Sequence, residues 1–332
     1  MPQNLMTICV DVMGGDEKPE VILEGMSQAL AECDDIKLVA VGPQEIVDSF
    51  VACHGDRAEA LYSQSVIEMD EHPAEAVRKK RDSSIVLACK ALKEGKADAF
   101  FSAGSTGAVL AAATLYTGRS RGVIRPAIGY MLPTTPPLLG LDLGANADVR
   151  PDMLVQFGQM GAAYMRTVCG VEQPRVGLLN IGAEKTKGSE FAQEVHELME
   201  QKLPEFTGNC EGTDLFGGKF DVVVCDGFTG NIMLKTIEGT AKFLLTTMKQ
   251  SFLSSLRSKI GALLLKPALS EIKDLLNADA AGGAPLLGIR SVVVIGHGKT
   301  SSRAVLNGIK ACRRAVEQDL VGQIAQSVAQ YD

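Results

Sequence analysis

The amino-acid sequence predicts an α/β fold in which a mostly parallel sheet is covered by helices on both faces. Apolar runs alternate with helical segments along the 332 residues. Six clusters rich in Gly, Asn, Asp and Ser interrupt the chain, and five of them directly follow an apolar run. A run that ends in such a turn is typical of a buried parallel strand that leads into a helix. No repeat or low-complexity linker divides the chain, so we expect one elaborated domain over residues 1–332.

Strand and helix candidates follow one another in the order that this fold requires. The predicted strands are residues 7–12, 36–41, 65–69, 97–102, 127–132, 138–143, 175–181, 221–225 and 291–295. The predicted helices are residues 19–33, 43–53, 83–94, 106–116, 151–169, 189–201 and 300–328. Only Pro133–Pro137 separates two of the strands, which is too short for a helical crossover. This pair therefore predicts a hairpin and one antiparallel step in the sheet.

Residues 230–277 interrupt this alternation, because they carry no strand pattern. Apolar residues recur there at helical spacing. They are Leu245, Met248, Phe252, Leu256, Ile260 and Leu263, with Lys249, Arg257, Lys259, Lys266 and Lys273 between them. We expect a helical excursion that contacts a second subunit and a membrane surface. The alternative is a helix that folds back on its own core.

Composition excludes several classes of protein. A net charge of −7 argues against a nucleic-acid binder, and no apolar run approaches the roughly 18 residues of a membrane span. The N-terminus has no signal-peptide pattern. The eight cysteines are scattered and never form CxxC, which favours buried, reduced thiols in a cytoplasmic protein. Four dispersed histidines give no metal site.

The six clusters point to a ligand site. They are DVMGGD (11–16), SAGSTGA (102–108), DLGAN (142–146), NIGAEKTKG (180–188), DGFTGN (226–231) and GHGKTSS (296–302). Open α/β sheets bind ligands beyond the carboxyl ends of their strands, where glycine lets the backbone approach the ligand. Helix N-termini at such turns present unpaired N–H groups to anions. The pattern predicts a phosphate-handling site built from several loops.

The sequence does not match the known motifs for nucleotide binding or for a catalytic nucleophile. SAGSTGA lacks the first glycine of a dinucleotide fingerprint, because Ser102 stands there, and no acidic ribose partner follows. GHGKTSS is not a Walker A loop, because Val293 occupies its first glycine position. No GxSxG elbow is present, so a covalent enzyme intermediate is not indicated. The SAGSTGA turn fits a phosphate better, with hydroxyls from Ser102, Ser105 and Thr106.

A basic run, Arg78–Arg81, is the densest positive segment of the sequence. Such a run is usually a solvated face, although in an acidic protein it is also a candidate landing site for an acidic partner. Before it, Asp70-Glu71-His72 precedes Pro73, which fits the start of a helix better than an active-site loop.

Taken in order along the chain, the six clusters and the late GGAPLLG segment (282–288) with His297-Gly298 resemble the PlsX family, the phosphate acyltransferases of bacterial phospholipid synthesis. The resemblance implies a three-layer α/β/α sandwich of the isocitrate dehydrogenase and phosphotransacetylase type, with protruding helices. It implies transfer of a long-chain fatty acyl group from acyl carrier protein to inorganic phosphate. The acyl phosphate then feeds a glycerol-3-phosphate acyltransferase. A homodimer, peripheral membrane association through about residues 252–269, and no cofactor or metal are also implied.

The same resemblance assigns site residues. Lys187 matches a reactive-site lysine that would carry phosphate and oxyanion charge, and Asn231 matches an asparagine that would hydrogen-bond one of them. Lys185 competes with Lys187, and Lys299-Thr300 departs from the family pattern. The expected substrate and phosphate contacts are Gly14, Gly15, Asp16, Ser102, Gly104, Ser105, Thr106, Gly107, Asn146, Asp226, Gly230 and His297.

Two alternatives remain open from the sequence. One is a phosphotransacetylase-like enzyme that uses short acyl-CoA, which would need an adenine pocket instead of a channel for a long acyl chain. The other is a non-catalytic protein that docks acyl carrier protein at the membrane and forms no acyl phosphate.

Overall fold

A single eleven-stranded sheet forms the centre of the molecule in the computed structural model, which describes residues 5–267, 269 and 282–329. The strands are β1 (Met6–Asp11), β2 (Ile36–Gly42), β3 (Ala58–Tyr62), β4 (Ala99–Ser102), β5 (Ala127–Leu132), β6 (Leu138–Leu141), β7 (Val176–Leu179), β8 (Phe206–Cys210), β9 (Val222–Val224), β10 (Ala284–Leu287) and β11 (Val292–Ile295). Their order across the sheet is β3-β2-β1-β4-β11-β10-β5-β6-β9-β7-β8.

The sheet consists of two parallel halves that run in opposite directions. Strands β3, β2, β1, β4 and β11 are mutually parallel, and so are β6, β9, β7 and β8. The predicted hairpin between β5 and β6 is confirmed. The prediction of one antiparallel step is wrong, because β10, a strand that the sequence did not reveal, lies between β11 and β5 and pairs antiparallel with both. The six clusters therefore lie three at each edge of the sheet.

Helices cover both faces. They are α1 (Pro19–Glu32), α2 (Gln44–His54), α3 (Pro73–Lys79), α4 (Ser84–Lys93), α5 (Thr106–Ala112), α6 (Pro151–Cys169), α7 (Glu190–Lys202), α8 (Gly227–Leu253), α9 (Leu256–Leu264), α10 (Ser302–Glu317) and α11 (Leu320–Ala329). Proline begins α1, α3 and α6, where its fixed φ suits the first turn. The predicted 300–328 helix divides at Asp319, which has a positive φ of 49°.

One predicted strand is absent, and three strands of the sheet were not predicted. Residues 65–69 form no strand, and β3 lies a few residues earlier, at a segment whose Ala and Glu gave no strand signal. Strand β8 was not predicted because it contains Gly208 and Asn209, two residue types that are uncommon in strands. β10 begins beside two glycines and contains Pro285. Each of these strands is short, and tertiary pairing stabilises it despite weak local preference.

Buried apolar side chains form a layer on each side of the sheet. Neighbouring residues of β4 illustrate this, since Phe101 joins one layer with α1, α6, α10 and α11 while Phe100 joins the other with α4 and α5. A third cluster lies under the beginning of α8 and includes Leu143, Phe220 and Leu234. The three-layer α/β/α arrangement predicted from the family resemblance is confirmed.

Helix α8 leaves this body. Of its 27 residues only Gly227, Gly230 and Leu234 are buried. Large apolar side chains are exposed along α8 and α9: Phe228, Ile232, Phe243, Leu244, Met248, Leu253, Leu256, Ile260, Leu263 and Leu264. No helix in the described part of the chain is long and apolar enough to cross a membrane. Residues 270–277 of the predicted excursion, with Lys273, lie outside the described residues.

Candidate active site

A cleft of about 400 Å³ lies over the middle of the sheet, on the face that carries α5 and α8. Asp16, Gly104, Thr106, His297 and Gly298 line it from loops at the carboxyl ends of β1, β4 and β11. The opposite side is formed by the β6 loop and by α8. Its lining there is Leu143, Gly144, Asn231, Leu234, Lys235 and Glu238. The cleft therefore joins loops from both edges of the sheet.

Three glycine-rich loops are locked together on the first side of the cleft. The Asp16 N–H donates to the Gly298 carbonyl at 2.8 Å. Gly15 has φ +102°, and a Cβ there would lie 2.8 Å from the same carbonyl oxygen. A side chain at this position would separate the β1 and β11 loops, so glycine is required where they meet. The backbone on this side is held in one arrangement.

A buried carboxylate supports the same loops from below. The Ser102 hydroxyl donates to Asp11 Oδ2 at 2.7 Å and accepts the Gly104 N–H at 3.0 Å. The Met13 N–H donates to the other oxygen of Asp11 at 3.1 Å. Burial raises the pKa of Asp11, and its hydrogen bonds act in the opposite direction. Asp11 and Ser102 hold the shape of the cleft, and both are fully buried.

A second buried carboxylate, Asp142, organises the other side. It accepts the N–H groups of Ile128, Ala145 and Asn146, and also the Asn146 side-chain amide at 2.8 Å. Burial raises the pKa of Asp142 against the effect of these bonds. Asn146 also donates to the Pro126 carbonyl, and its own carbonyl accepts the Gly227 N–H at 2.7 Å. This chain of contacts fixes where α8 begins.

Helix α8 presses closely on this support. The Asp226 carboxylate caps it by accepting the Thr229 N–H at 2.8 Å. One residue before Asn231, Gly230 packs so tightly that an added Cβ would lie 2.1 Å from the Asp142 carbonyl oxygen. Asn231 therefore reaches the cleft from a helix whose start is set by direct backbone contact.

The NIGAEKTKG loop lies at the carboxyl end of β7, and neither of its lysines lines the cleft. Lys185 pairs with Glu200, whereas Lys187 makes no ion pair within the described residues. The Asn209 amide donates to the Glu184 carbonyl at 2.9 Å, and the Asn180 amide donates to the Lys187 carbonyl at 3.2 Å. The backbone of the loop is therefore held in place. Of its two lysines, only the exposed Lys187 has no ion-pair partner within the described residues.

His297 gives the cleft an oriented imidazole. Its Nδ1 accepts the Lys299 N–H at 3.1 Å, so the neutral ring carries its proton on Nε2. Across the cleft, Lys235 donates to Glu238 at 2.8 Å, so these two charges offset each other. Nε2 of His297 is available to donate to an anion.

The predicted site residues thus fall into three groups. Asp16, Gly104, Thr106, Asn231 and His297 line the cleft. A second group supports it: Gly14, Gly15, Ser102, Ser105, Gly107, Asn146, Asp226 and Gly230. Lys187 lies outside both groups, and its role stays a prediction.

Sequence reasoning missed the apolar wall of the cleft. Its members are Met69, Ile128, Tyr130, Leu143, Leu234 and Ile295. Most of them lie within or beside strands and helices, where an apolar residue is normally assigned to the hydrophobic core. Only the period-two spacing of Ile128 and Tyr130 could have indicated a shared face of β5.

The geometry agrees with comparisons to known proteins. The sequence model of a family described as "Fatty acid synthesis protein" matches residues 6–323. A phosphate acyltransferase of Desulfitobacterium hafniense (strain Y51) is 42% identical over 332 residues, with 98% of each chain covered. The chain belongs to the phosphate acyltransferase family. This member is accordingly an acyltransferase, and the family assignment made from the six clusters is confirmed. A Bacillus cereus phosphate acyltransferase is 40% identical over 322 residues, covering 96% of this chain and 97% of the relative.

Solved structures share the fold of this phosphate acyltransferase family member. A phosphotransacetylase from Staphylococcus aureus superposes with a TM-score of 0.61 at 18% identity, covering 95% of each chain. A branched-chain phosphotransacylase from Enterococcus faecalis gives a TM-score of 0.59 at 14% identity, covering 95% of this chain and all of that one. At these identities the likeness supports the fold alone, which is of the predicted phosphotransacetylase type.

Proposed function

We propose that the protein transfers a long-chain fatty acyl group from acyl carrier protein to inorganic phosphate. The observation that carries the proposal is the cleft, in which glycine-rich loops and Asn231 face an apolar wall. The loops bring backbone close to an anion, and the wall suits an acyl chain. The acyl phosphate would feed acylation of glycerol 3-phosphate in phospholipid synthesis.

The reaction needs positioning and charge stabilisation more than a protein nucleophile. A phosphate oxygen attacks the thioester carbonyl carbon, so that a C–O bond forms. The C–S bond then breaks, the sulfur takes its electron pair, and the proton of hydrogen phosphate passes to it to give the free carrier thiol. No Ser or Cys side chain lines the cleft within the described residues. We assign Asn231 and the His297 Nε2–H as donors to the phosphate or the oxyanion.

Lys187 completes this assignment as the source of positive charge. Its freedom from ion pairing in the described structure favours it over Lys185, which Glu200 already neutralises. Because Lys187 does not line the cleft, its side chain has to extend toward bound phosphate from the tethered loop. The proposal needs no nucleotide and no metal ion.

The reaction is tested by following free carrier thiol during incubation with palmitoyl-acyl carrier protein. We expect release that depends on phosphate concentration and is unchanged by EDTA or by omission of NAD and ATP. Faster turnover of acetyl-CoA than of the carrier thioester would favour the phosphotransacetylase alternative. Absence of any acyl phosphate would favour the docking protein and contradict the proposal.

We further propose that α8 mediates a homodimer in the cytoplasm and that α9 contacts the membrane. The exposed apolar residues of α8 are too many to leave in water, so a second copy of the helix is a suitable cover. On α9, Leu263 and Leu264 are 70% and 76% exposed, with Arg257 and Lys259 nearby. Each such cation adds about 1 kcal/mol of attraction to anionic headgroups.

Replacing Leu263 and Leu264 by Glu separates the two roles. We expect the variant to lose binding to anionic liposomes, to remain dimeric and to keep its activity on acyl carrier protein in solution. Liposome flotation measures the membrane binding, and light scattering measures the oligomeric state. Dissociation into monomers would show that α9 belongs to the dimer core, which would contradict the membrane role.

A further inference from the structure

Two acid-free parts of the chain meet at the middle of the sheet. Residues 99–141 and 280–316 contain no Asp or Glu, although the protein as a whole has a net charge of −7. The first part supplies β4 and β5, and the second supplies β10 and β11, which lie side by side. Four arginines from the two parts converge at one edge of the sheet. They form the arginine patch: Arg119, Arg121, Arg125 and Arg290, all exposed.

The backbone that carries the arginine patch is rigidly held. Arg290 donates from its side chain to the Arg119 carbonyl at 2.9 Å and from its backbone N–H to the Gly118 carbonyl at 3.0 Å. The Ser120 hydroxyl donates to the Ile289 carbonyl at 2.9 Å. Gln156 bonds both the Gly122 carbonyl and the Ile124 N–H. The backbone positions of the four arginines are therefore fixed, which lowers the conformational entropy that this surface would lose when it binds a partner.

No arginine of the patch forms an ion pair within the described residues. Arg121 and Arg125 also make no hydrogen bond there. The Arg78–Arg81 run is different, because Lys79 pairs with Glu75 and Lys80 with Glu71. Two of the four cations of this run are therefore neutralised, whereas none of the four arginines of the patch is neutralised in the described part of the chain.

The patch adjoins the cleft. Arg125 is three residues from Ile128, which lines the cleft, and this distance along an extended strand is about 10 Å. Pro126, next to Arg125, accepts a hydrogen bond from Asn146 at 2.8 Å, beside the start of α8. We propose that the arginine patch is the docking surface for the acidic face of the acyl carrier protein that delivers the thioester. This proposal rests on the proposed function.

An acidic protein fits the patch better than a lipid surface does. The patch lies near the first residues of α8, whereas the exposed leucines of α9 follow its last residues. A helix of 27 residues is about 40 Å long, so a bilayer that touches α9 lies far from the patch. Arginines suit carboxylates, which they bind through two hydrogen bonds.

Charge reversal tests the proposal in the full-length protein. We compare Arg121→Glu/Arg125→Glu with Arg78→Glu/Arg81→Glu, which carries the same change of charge, using palmitoyl-acyl carrier protein at low salt. The kcat/KM of the first variant should fall at least about tenfold because its KM rises. Charges at the edge of an interface mainly affect the rate at which the two proteins associate. The neutral Arg121→Gln/Arg125→Gln variant should lose less. Turnover of a small palmitoyl-pantetheine thioester, and the melting temperature, should stay unchanged.

Several outcomes would overturn the proposal. They are wild-type kinetics in the first variant, a larger loss in the Arg78/Arg81 variant, an equal loss with the small thioester, dissociation of the dimer, or weaker liposome binding with unchanged carrier kinetics. If the wild-type protein forms no acyl phosphate from the carrier thioester, the proposed function itself fails. These results are distinguishable because only the last one appears before any substitution is made.

Discussion

The packing of Gly230 against Asp142 makes a quantitative prediction about catalysis. A Cβ at Gly230 would lie 2.1 Å from the Asp142 carbonyl oxygen, while ordinary contacts of this kind begin near 3.4 Å. The Gly230→Ala variant must therefore move the start of α8 by about 1 Å. Leu143 and Cys225 also crowd the site, at 2.8 and 2.9 Å, so the helix has little room to turn aside. Asn231, the next residue, moves with it.

A displacement of this size has a known scale of effect on catalysis. Misplacing a reacting group by 1 Å costs on the order of 10²-fold in rate, and overpacking costs about 1–3 kcal/mol of stability. We expect Gly230→Ala to lower kcat for acyl phosphate formation by about that factor. Its far-UV circular dichroism should match the wild type, and its melting temperature should fall by a few degrees.

Gly239→Ala is the matched control, because it makes the same substitution in the same helix. A Cβ at Gly239 would meet nothing within 4 Å. Alanine should therefore leave kcat unchanged and stabilise α8 by up to about 1 kcal/mol. If Gly230→Ala kept kcat within threefold of the wild type, or if both variants lost activity equally, the argument that Asp142 positions Asn231 through α8 would be refuted.

Two further predictions concern the proposed site residues and the buried Asp11. Lys187→Ala and Asn231→Ala should each lower kcat about 10²-fold without loss of thermal stability, while Lys185→Ala should cost much less; greater sensitivity at Lys185 would reverse the assignment. The second concerns Asp11, whose pKa burial raises above the ordinary value of 3.8. Its contribution to stability is complete below that pH and is lost as pH rises through the folded-state pKa. The wild type should therefore lose stability relative to Asp11→Asn over this range in urea unfolding, and a constant difference would contradict the raised pKa.

Much of the fold could be predicted because its strongest elements are locally consistent. The 127–132 strand and the 151–169 helix were predicted with the bounds that β5 and α6 have. Strand β10 could not be found, since its pairing with β5 and β11 is a tertiary event. Its two antiparallel pairings cancel, so the predicted hairpin between β5 and β6 reverses the second half of the sheet and decides which loops share an edge.

The candidate site was predictable only in part, for the same reason. Five of the six glycine clusters contribute residues to the cleft, and close backbone approach explains why residue type is restricted at positions such as Gly15. The apolar wall was invisible, because residues such as Leu143 and Leu234 look like core in sequence. The arginine patch was also missed, since Arg125 and Arg290 are brought together only by the sheet.

Intact-protein mass spectrometry tests the central claim most directly, namely that phosphate itself attacks the thioester. The protein is mixed with palmitoyl-acyl carrier protein without phosphate, and phosphate is then added while protein mass and free thiol are followed. We predict no palmitoyl adduct on the protein and no thiol before phosphate is added, then thiol and acyl phosphate in equal amounts. A palmitoyl adduct, or thiol release without phosphate, would contradict the account.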